Sequence, residues 1–163
     1  MLIDTLVEDP QWEALDIGGL AERAVAVTLD HLSVALSGCE VAILACNDAR
    51  ISTLNEEFRG KPTATNVLSW PSENLTSEED GGAPLPPEDP MLGDIAIAYE
   101  TCVQEANEAG KPLDAHVRHL IVHATLHLLG YDHVRDADAA RMERLESAIV
   151  MSAFADPDPY SAA

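Results

Sequence analysis

Residues 120–129 (LIVHATLHLL) carry only three polar side chains, His123, Thr125 and His127, and are otherwise apolar on every side. A helix that is apolar nearly all round belongs in a core. Imidazoles taken there need partners, since an unpaired polar group in a core costs about 1–3 kcal/mol. His123 and His127 stand four apart, so they share one helix face a turn from each other. Gly130 is where this helix is expected to stop, because glycine accepts the left-handed conformation that ends helices. The chain can then fold back and bring His133 to the same point. The H-x3-H-x5-H spacing thus offers three neutral nitrogen donors to one ion per chain. Three protein ligands with a fourth position left for water is the arrangement of a catalytic zinc site. Imidazole suits zinc best and leaves nickel, copper and iron open.

Other readings of these histidines stand beside that one. Buried histidines can simply be satisfied core residues. A closed structural site would need a fourth ligand, which Asp132 or a distant cysteine could supply. His116 and His119 lie upstream on the same helix and could support the ligands from behind; the expectation is that they are surface residues. His31 has no companion and reads as ordinary.

The length of 163 residues fits one domain with a real core, and 47% apolar residues argue against wholesale disorder. No run of apolar residues approaches the eighteen or so that a membrane span needs. The acidic start, MLIDTLVEDP, has neither a positive region nor the apolar stretch of a signal peptide, so a cytoplasmic protein is expected. The three cysteines, Cys39, Cys46 and Cys102, show no C-x-x-C spacing and are expected as reduced thiols, with Cys46 in the core. Net charge is −20, from 29 acidic and 9 basic residues, which argues against a general nucleic-acid binder with a broad basic face. Six of those acids fall within residues 72–90 (SENLTSEEDGGAPLPPEDP), without a single base, so the sum overstates how acidic any one cleft must be.

Periodicity gives an element order. Residues 2–8 read as an edge strand, and Ala21, Val25, Leu29 and Leu32 form a helical stripe. VAILAC (41–46) is a buried strand; Asp48 is expected to cap a helix with Ile51, Leu54 and Phe58 inward, ending at Gly60. NVLSWP (66–71) is a strand closed by proline, and a flexible acidic Pro/Gly-rich surface loop follows, over about 72–91. GDIAIAYE (93–100) resumes as a strand, and a helix over 99–109 stops at Gly110. Pro112 suits the first turn of the histidine helix, and a last helix over about 137–152 presents Met142, Leu145 and Ile149. A Pro-rich tail from about residue 155 is expected to fray. The expectation is a single α+β domain over 1–163, with three or four strands whose order the sequence does not reveal.

HATLHLLGYDH closely resembles the signature of the YbeY family of bacterial rRNA-maturation endoribonucleases, H-G-x-L-H-L-x-G-Y-D-H. LNEEFRG (54–60) and TNVLSWP (65–71) are similar to the family's L-N-x-x-[YF]-R and T-D-V-L-S-F-P. GDIAIA (93–98) resembles G-D-I-x-I, and residues 142–146 resemble the closing M-x-x-x-E. The resemblance covers about residues 40–150. It implies a small α+β fold, a mixed sheet of about four strands with helices around a central, buried metal-bearing helix. It also implies a zinc-dependent, single-strand-specific endoribonuclease acting in rRNA maturation, at the 16S rRNA 3′ end, and in ribosome quality control. Its partners would be ribosomal RNA and the small ribosomal subunit with its proteins, with no membrane and no DNA. The family ligands fall on His123, His127 and His133, and its functionally important arginine falls on Arg59. Two positions depart: the family's glycine is Ala124, and its aspartate is Asn66, which puts any role of that carboxylate in doubt.

In that chemistry zinc brings the pKa of its water to about 7 and offsets charge on a phosphate oxygen. Arg59 could give the phosphate bidentate hydrogen bonds; alternatively it is a solvated arginine favouring the helix dipole. Lys61 and Arg118 are weaker candidates for backbone contacts, and the motif names no general base. Zinc peptidases use H-E-x-x-H, whose glutamate is the base; Ala124 stands there, so a peptidase lacks it. The remaining competitor is a non-catalytic, metal-stabilised assembly factor on the small subunit, for which strong negative charge fits contact with basic ribosomal proteins.

Overall fold

The computed structural model describes residues 1–160. Four strands, β1 (Leu2–Val7), β2 (Glu40–Cys46), β3 (Val67–Pro71) and β4 (Met91–Ala98), form one sheet in the order β1-β2-β4-β3. β1, β2 and β4 run parallel, and β3 is the antiparallel edge. The helices are α1 (Ile17–His31), α2 (Asp48–Arg59), α3 (Tyr99–Ala109), α4 (Leu113–Leu128) and α5 (Asp136–Phe154). This is the α+β domain with a mixed four-stranded sheet that the sequence leads one to expect.

Alternation along the strands divides the core in two. Val41, Ile43, Ile95 and Ile97 face the larger cluster, built with α1, α4 and α5. Cys46, Leu68, Ala96 and Ala98 face a smaller one closed by Ile51 and Leu54 of α2. The parallel pairs need crossovers, and α1 makes the first, from β1 to β2. α4 is the central helix, packed against α1, α3, α5, β3 and β4. Being apolar all round is thus what its position requires. Its one buried hydroxyl, Thr125 Oγ1, donates to the Ile121 carbonyl at 2.7 Å.

At Gly93 the pairing of β2 with β4 slips by one residue, and φ is +146°. A Cβ there would run into the Trp70 carbonyl oxygen, so the bulge depends on glycine.

Several local expectations need correction. Asn47, not Asp48, caps α2: its Oδ1 accepts from Arg50 N at 2.9 Å. Asp48 instead binds the start of α3, accepting from Thr101 N at 3.1 Å and Thr101 Oγ1 at 2.8 Å. Phe58 lies on the outside of α2, 62% exposed, edge-on to Trp70. A short 3₁₀ turn, Pro10–Leu15, escaped periodicity; it seats Trp12, whose Nε1 donates to the Cys46 carbonyl at 2.8 Å.

Residues 72–90 hold neither helix nor strand, yet part of the loop is tied to α5. Arg135 donates to the carbonyls of Ser77 and Glu78, and Asp80 accepts from Asp138 N at 2.9 Å at the start of α5. Of the tail expected from about residue 155, residues 161–163 lie outside those described. Among the described residues no helix is long and apolar enough to cross a membrane.

Candidate metal centre

α4 ends where the sequence leads one to expect. The Gly130 N–H reaches the His127 carbonyl at 3.1 Å, the Tyr131 N–H reaches Leu126 at 3.0 Å, and Gly130 has φ +96°. A Cβ at Gly130 would sit 2.7 Å from the Leu75 backbone, so the turn has no room for a side chain. Just beyond it, Tyr131 turns its carbonyl back to His127 Nδ1 at 3.0 Å, and His133 follows.

The three histidines meet. Their ligating nitrogens lie within 4.8 Å of one another, and the His133 ring centroid is 5.4 Å from that of His123 and 4.9 Å from that of His127. His123 Nε2 and His127 Nε2 are 3.1 Å apart. Each Nδ1 is committed as a donor, in His127 to the Tyr131 carbonyl and in His123 to Glu146 Oε1 at 2.9 Å. Neutral rings protonated on Nδ1 carry lone pairs on Nε2. With both rings neutral, two lone pairs face each other, an arrangement that a cation between them would resolve. Nitrogens about 2.0–2.1 Å from one tetrahedral ion stand about 3.3 Å apart, close to the observed separation. The donor set thus fits a metal ion.

Charge supports the same conclusion. Burial, aided by the neighbouring His123 and His133, pushes the pKa of His127 down to about 4, so this ring is neutral and able to ligate at neutral pH. Behind His123, Glu146 is a carboxylate with 1% exposure. Burial would raise its pKa, but hydrogen bonds from His119 and His123 prevail and hold it at about 2.

His116 and His119 are not surface residues. His119 Nε2 lies 2.8 Å from Glu146 Oε1. His116 Nε2 lies 2.9 Å from Glu105 Oε1, and that oxygen also accepts from Asn66 Nδ2 at 3.0 Å. Asn66, Arg59 and the three histidines line one cleft of about 520 Å³, between β3 and the exit from α4. Arg59 reaches it from the last residue of α2, where Gly60 at φ +69° turns the chain. Arg118 does not line it; its Nε and Nη2 grip Asp156 at 2.8 and 2.7 Å. Nor does Lys61 line it. A second cleft of about 500 Å³, by the prolines of 84–90, has no comparable grouping of ligating side chains.

A fourth side-chain ligand does not join the group among the described residues. Asp132 lines the cleft but gives Oδ1 to the His133 N–H at 2.7 Å. The cysteines are buried in the core; burial lifts the Cys46 thiol to about 12 and Cys102 further still, unlike the low-pKa thiols that ligate metals.

The family model described as Endoribonuclease YbeY matches residues 3–153. The chain belongs to the YbeY family. A relative named Endoribonuclease YbeY in Dinoroseobacter shibae is 60% identical over 155 residues, covering 92% of this chain and 86% of its own length. Similarly named proteins of Ruegeria sp. (strain TM1040) and Jannaschia sp. (strain CCS1) are 53% and 54% identical, each over 98% of this chain. A protein of Thermotoga maritima solved in solution shares the fold, with TM-score 0.56 over 98% of this chain and 97% of that one, at 17% identity.

The sequence did not announce Glu146 as the partner of His123, or Glu105 as the partner of Asn66. The signal for Glu146 was a glutamate in a largely apolar helix face, within the stretch resembling the family's closing motif.

Proposed function

We propose that this YbeY-family chain is a metal-dependent endoribonuclease that cleaves single-stranded RNA, with His123, His127 and His133 holding one zinc ion and Arg59 contacting the scissile phosphate. The observation carrying the reading is the pair of Nε2 atoms 3.1 Å apart, opening with His133 and Arg59 into one cleft. Bound zinc supplies a water of lowered pKa and charge to offset the phosphate. The chain's own residues do the rest. The Glu146 and Tyr131 hydrogen bonds hold the two helix imidazoles with Nε2 toward the cleft. Arg59, exposed at a helix end, can fork two hydrogen bonds onto a phosphate. Asp132 is the carboxylate in the cleft wall, its Oδ1 accepting from the His133 N–H. Ala124, where a zinc peptidase carries its glutamate, lines the cleft without any base, which disfavours peptide hydrolysis.

The substrate on this reading is ribosomal RNA, at the 16S rRNA 3′ end, in cytoplasmic maturation and ribosome quality control on the small subunit. A second reading, a metal-stabilised assembly factor without catalysis, draws on the net charge of −20, which suits basic ribosomal proteins better than bare RNA. The experiment that separates them is cleavage of a single-stranded RNA by purified wild type, Arg59→Ala and His127→Ala. Cleavage by wild type alone is expected. Equal behaviour of all three, with small-subunit binding intact, would end the catalytic reading.

A further inference from the structure

Three donors converge on a single oxygen behind the histidine cluster. Glu146 Oε1 accepts from His119 Nε2 at 2.8 Å, His123 Nδ1 at 2.9 Å and Tyr160 Oη at 3.0 Å. A carboxylate so deeply buried is unfavourable unless its partners are complete. These partners come from two separate places: His119 and His123 on α4, and Tyr160 beyond the end of α5.

The path of the chain to Tyr160 is specified step by step. α5 ends at Phe154, and Ala155 at φ +55° reverses direction. Asp156 is then gripped by Arg118, which also stacks over the Phe154 ring at 5.3 Å. Asp158 accepts from Ser147 Oγ at 2.6 Å and from Tyr160 N at 3.0 Å. The Tyr160 ring stands edge-on to His119, 5.6 Å between centroids at 89°. Each tie draws residues 156–160 back along α4 and α5 toward Glu146.

We propose that Glu146 is the positioning residue that aims His123 at the metal, and that the segment 155–160 fastens Glu146 in place through the Tyr160 hydroxyl. The inference rests on the metal reading above. The Glu146 hydrogen bond fixes both the tautomer and the ring plane of His123, so Nε2 points to His127 with its lone pair available. His119 is then a brace and not a ligand: its Nε2 is spent on Glu146, and its Nδ1 is buried without a partner among the described residues. Metal retention in this chain thereby depends on a segment that contributes no ligand.

The test is zinc affinity by competition with a chelator, together with the visible spectrum of the cobalt(II)-loaded protein. Wild type, Glu146→Gln and Tyr160→Phe are compared as full chains. Loss of a supporting hydrogen bond of this kind weakens metal affinity by about 10–100-fold. Glu146→Gln is expected within that range; Tyr160→Phe is expected to fall several-fold and to shift the cobalt bands, with the metal-free melting temperature near that of wild type. A merely structural tail would lower that melting temperature without moving the spectrum, which overturns the proposal. Should Glu146→Gln fail to fold, Tyr160→Phe decides. Wild type that binds no zinc refutes the metal reading itself, whereas tight wild-type binding matched by both variants refutes this inference alone.

Discussion

Asn66 donates from Nδ2 to Glu105 at 3.0 Å, so the asparagine that departs from the family pattern has a carboxylate as its partner. An aspartate at 66 would place two negative groups at that distance while His116 contacts the same Glu105 oxygen. Asparagine is the side chain that this neighbour calls for. Asn66→Asp is expected to destabilise the protein by about 1–3 kcal/mol at pH 7.5, since like charges near a protein surface repel at this scale. The new carboxyl titrates high, so the deficit is present above its pKa and shrinks as pH falls through it. Urea unfolding of the variant and wild type at pH 7.5 and 5 measures the difference. Glu105→Gln in the same chain should restore most of it; a deficit independent of both pH and Glu105 would refute the pairing.

What the sequence disclosed and what it withheld divide by range. His123 and His127 sit on one helix, and His133 lies six residues on, past a glycine turn, so local periodicity brings all three together without knowledge of the fold. The partners of those rings are distant. Glu146 lies 23 residues from His123, and Glu105 lies 39 from Asn66. Their meeting depends on how α3 and α5 pack on α4, and no spacing encodes that. His116 and His119 read as surface because a run such as HVRHL looks polar until α3 meets His116 and α5 with the segment after it covers His119. Asn47 and Asp48 are equally good caps on paper; Thr101 on α3 draws Asp48 away and leaves the cap to Asn47. Sheet order was closed to sequence for the same reason.

The low pKa of His127 gives the metal-free protein a defined pH response. Its folded value of about 4 lies below the ordinary 6.5, chiefly through burial. Protonation is therefore easier in the unfolded chain, and the contribution to stability is whole above pH 6.5 and lost as pH falls toward 4. The difference corresponds to about 3 kcal/mol. Glu146, held at about 2, keeps its own contribution above 4.5 and loses it only at lower pH, so the two windows separate. Metal-free wild type should lose stability between pH 7 and 5 more steeply than His127→Ala, as read by urea denaturation. Parallel pH profiles for the two proteins would contradict the buried neutral imidazole.

Zinc should stabilise the folded chain. Ligand at a hundredfold excess over Kd adds about 2.7 kcal/mol to the native state. For a domain of this size that raises the melting temperature by about 5–10 °C. Chelator treatment should remove the increment from wild type and leave His127→Ala unchanged. Metal analysis after purification without added zinc should find about one equivalent per chain in wild type and little in the variant. An increment that survives in His127→Ala would place the ion elsewhere.

Two arginines at helical positions are distinguished by their surroundings. Arg59 is exposed on the cleft, with Gly60 turning the chain beside it. Arg118 holds Asp156 by two hydrogen bonds and packs on Phe154, with its side chain 21% exposed. Removing a donor that serves a transferring phosphate costs a reaction about 10²–10³ in rate. Removing one partner of a half-buried bidentate pair costs folding about 1–3 kcal/mol, because the other partner is left uncompensated. Arg59→Ala is therefore expected to lose at least a hundredfold in RNA cleavage with zinc content and melting temperature unchanged. Arg118→Ala is expected to melt several degrees lower. At a temperature where it remains folded it should cleave at a rate far closer to wild type than Arg59→Ala does, because its guanidinium points at the C-terminal segment and not at the cleft. The residual difference from wild type gauges how far loosening Asp156 is felt at Tyr160. If the two variants exchange these phenotypes, the assignment of Arg59 to the phosphate fails.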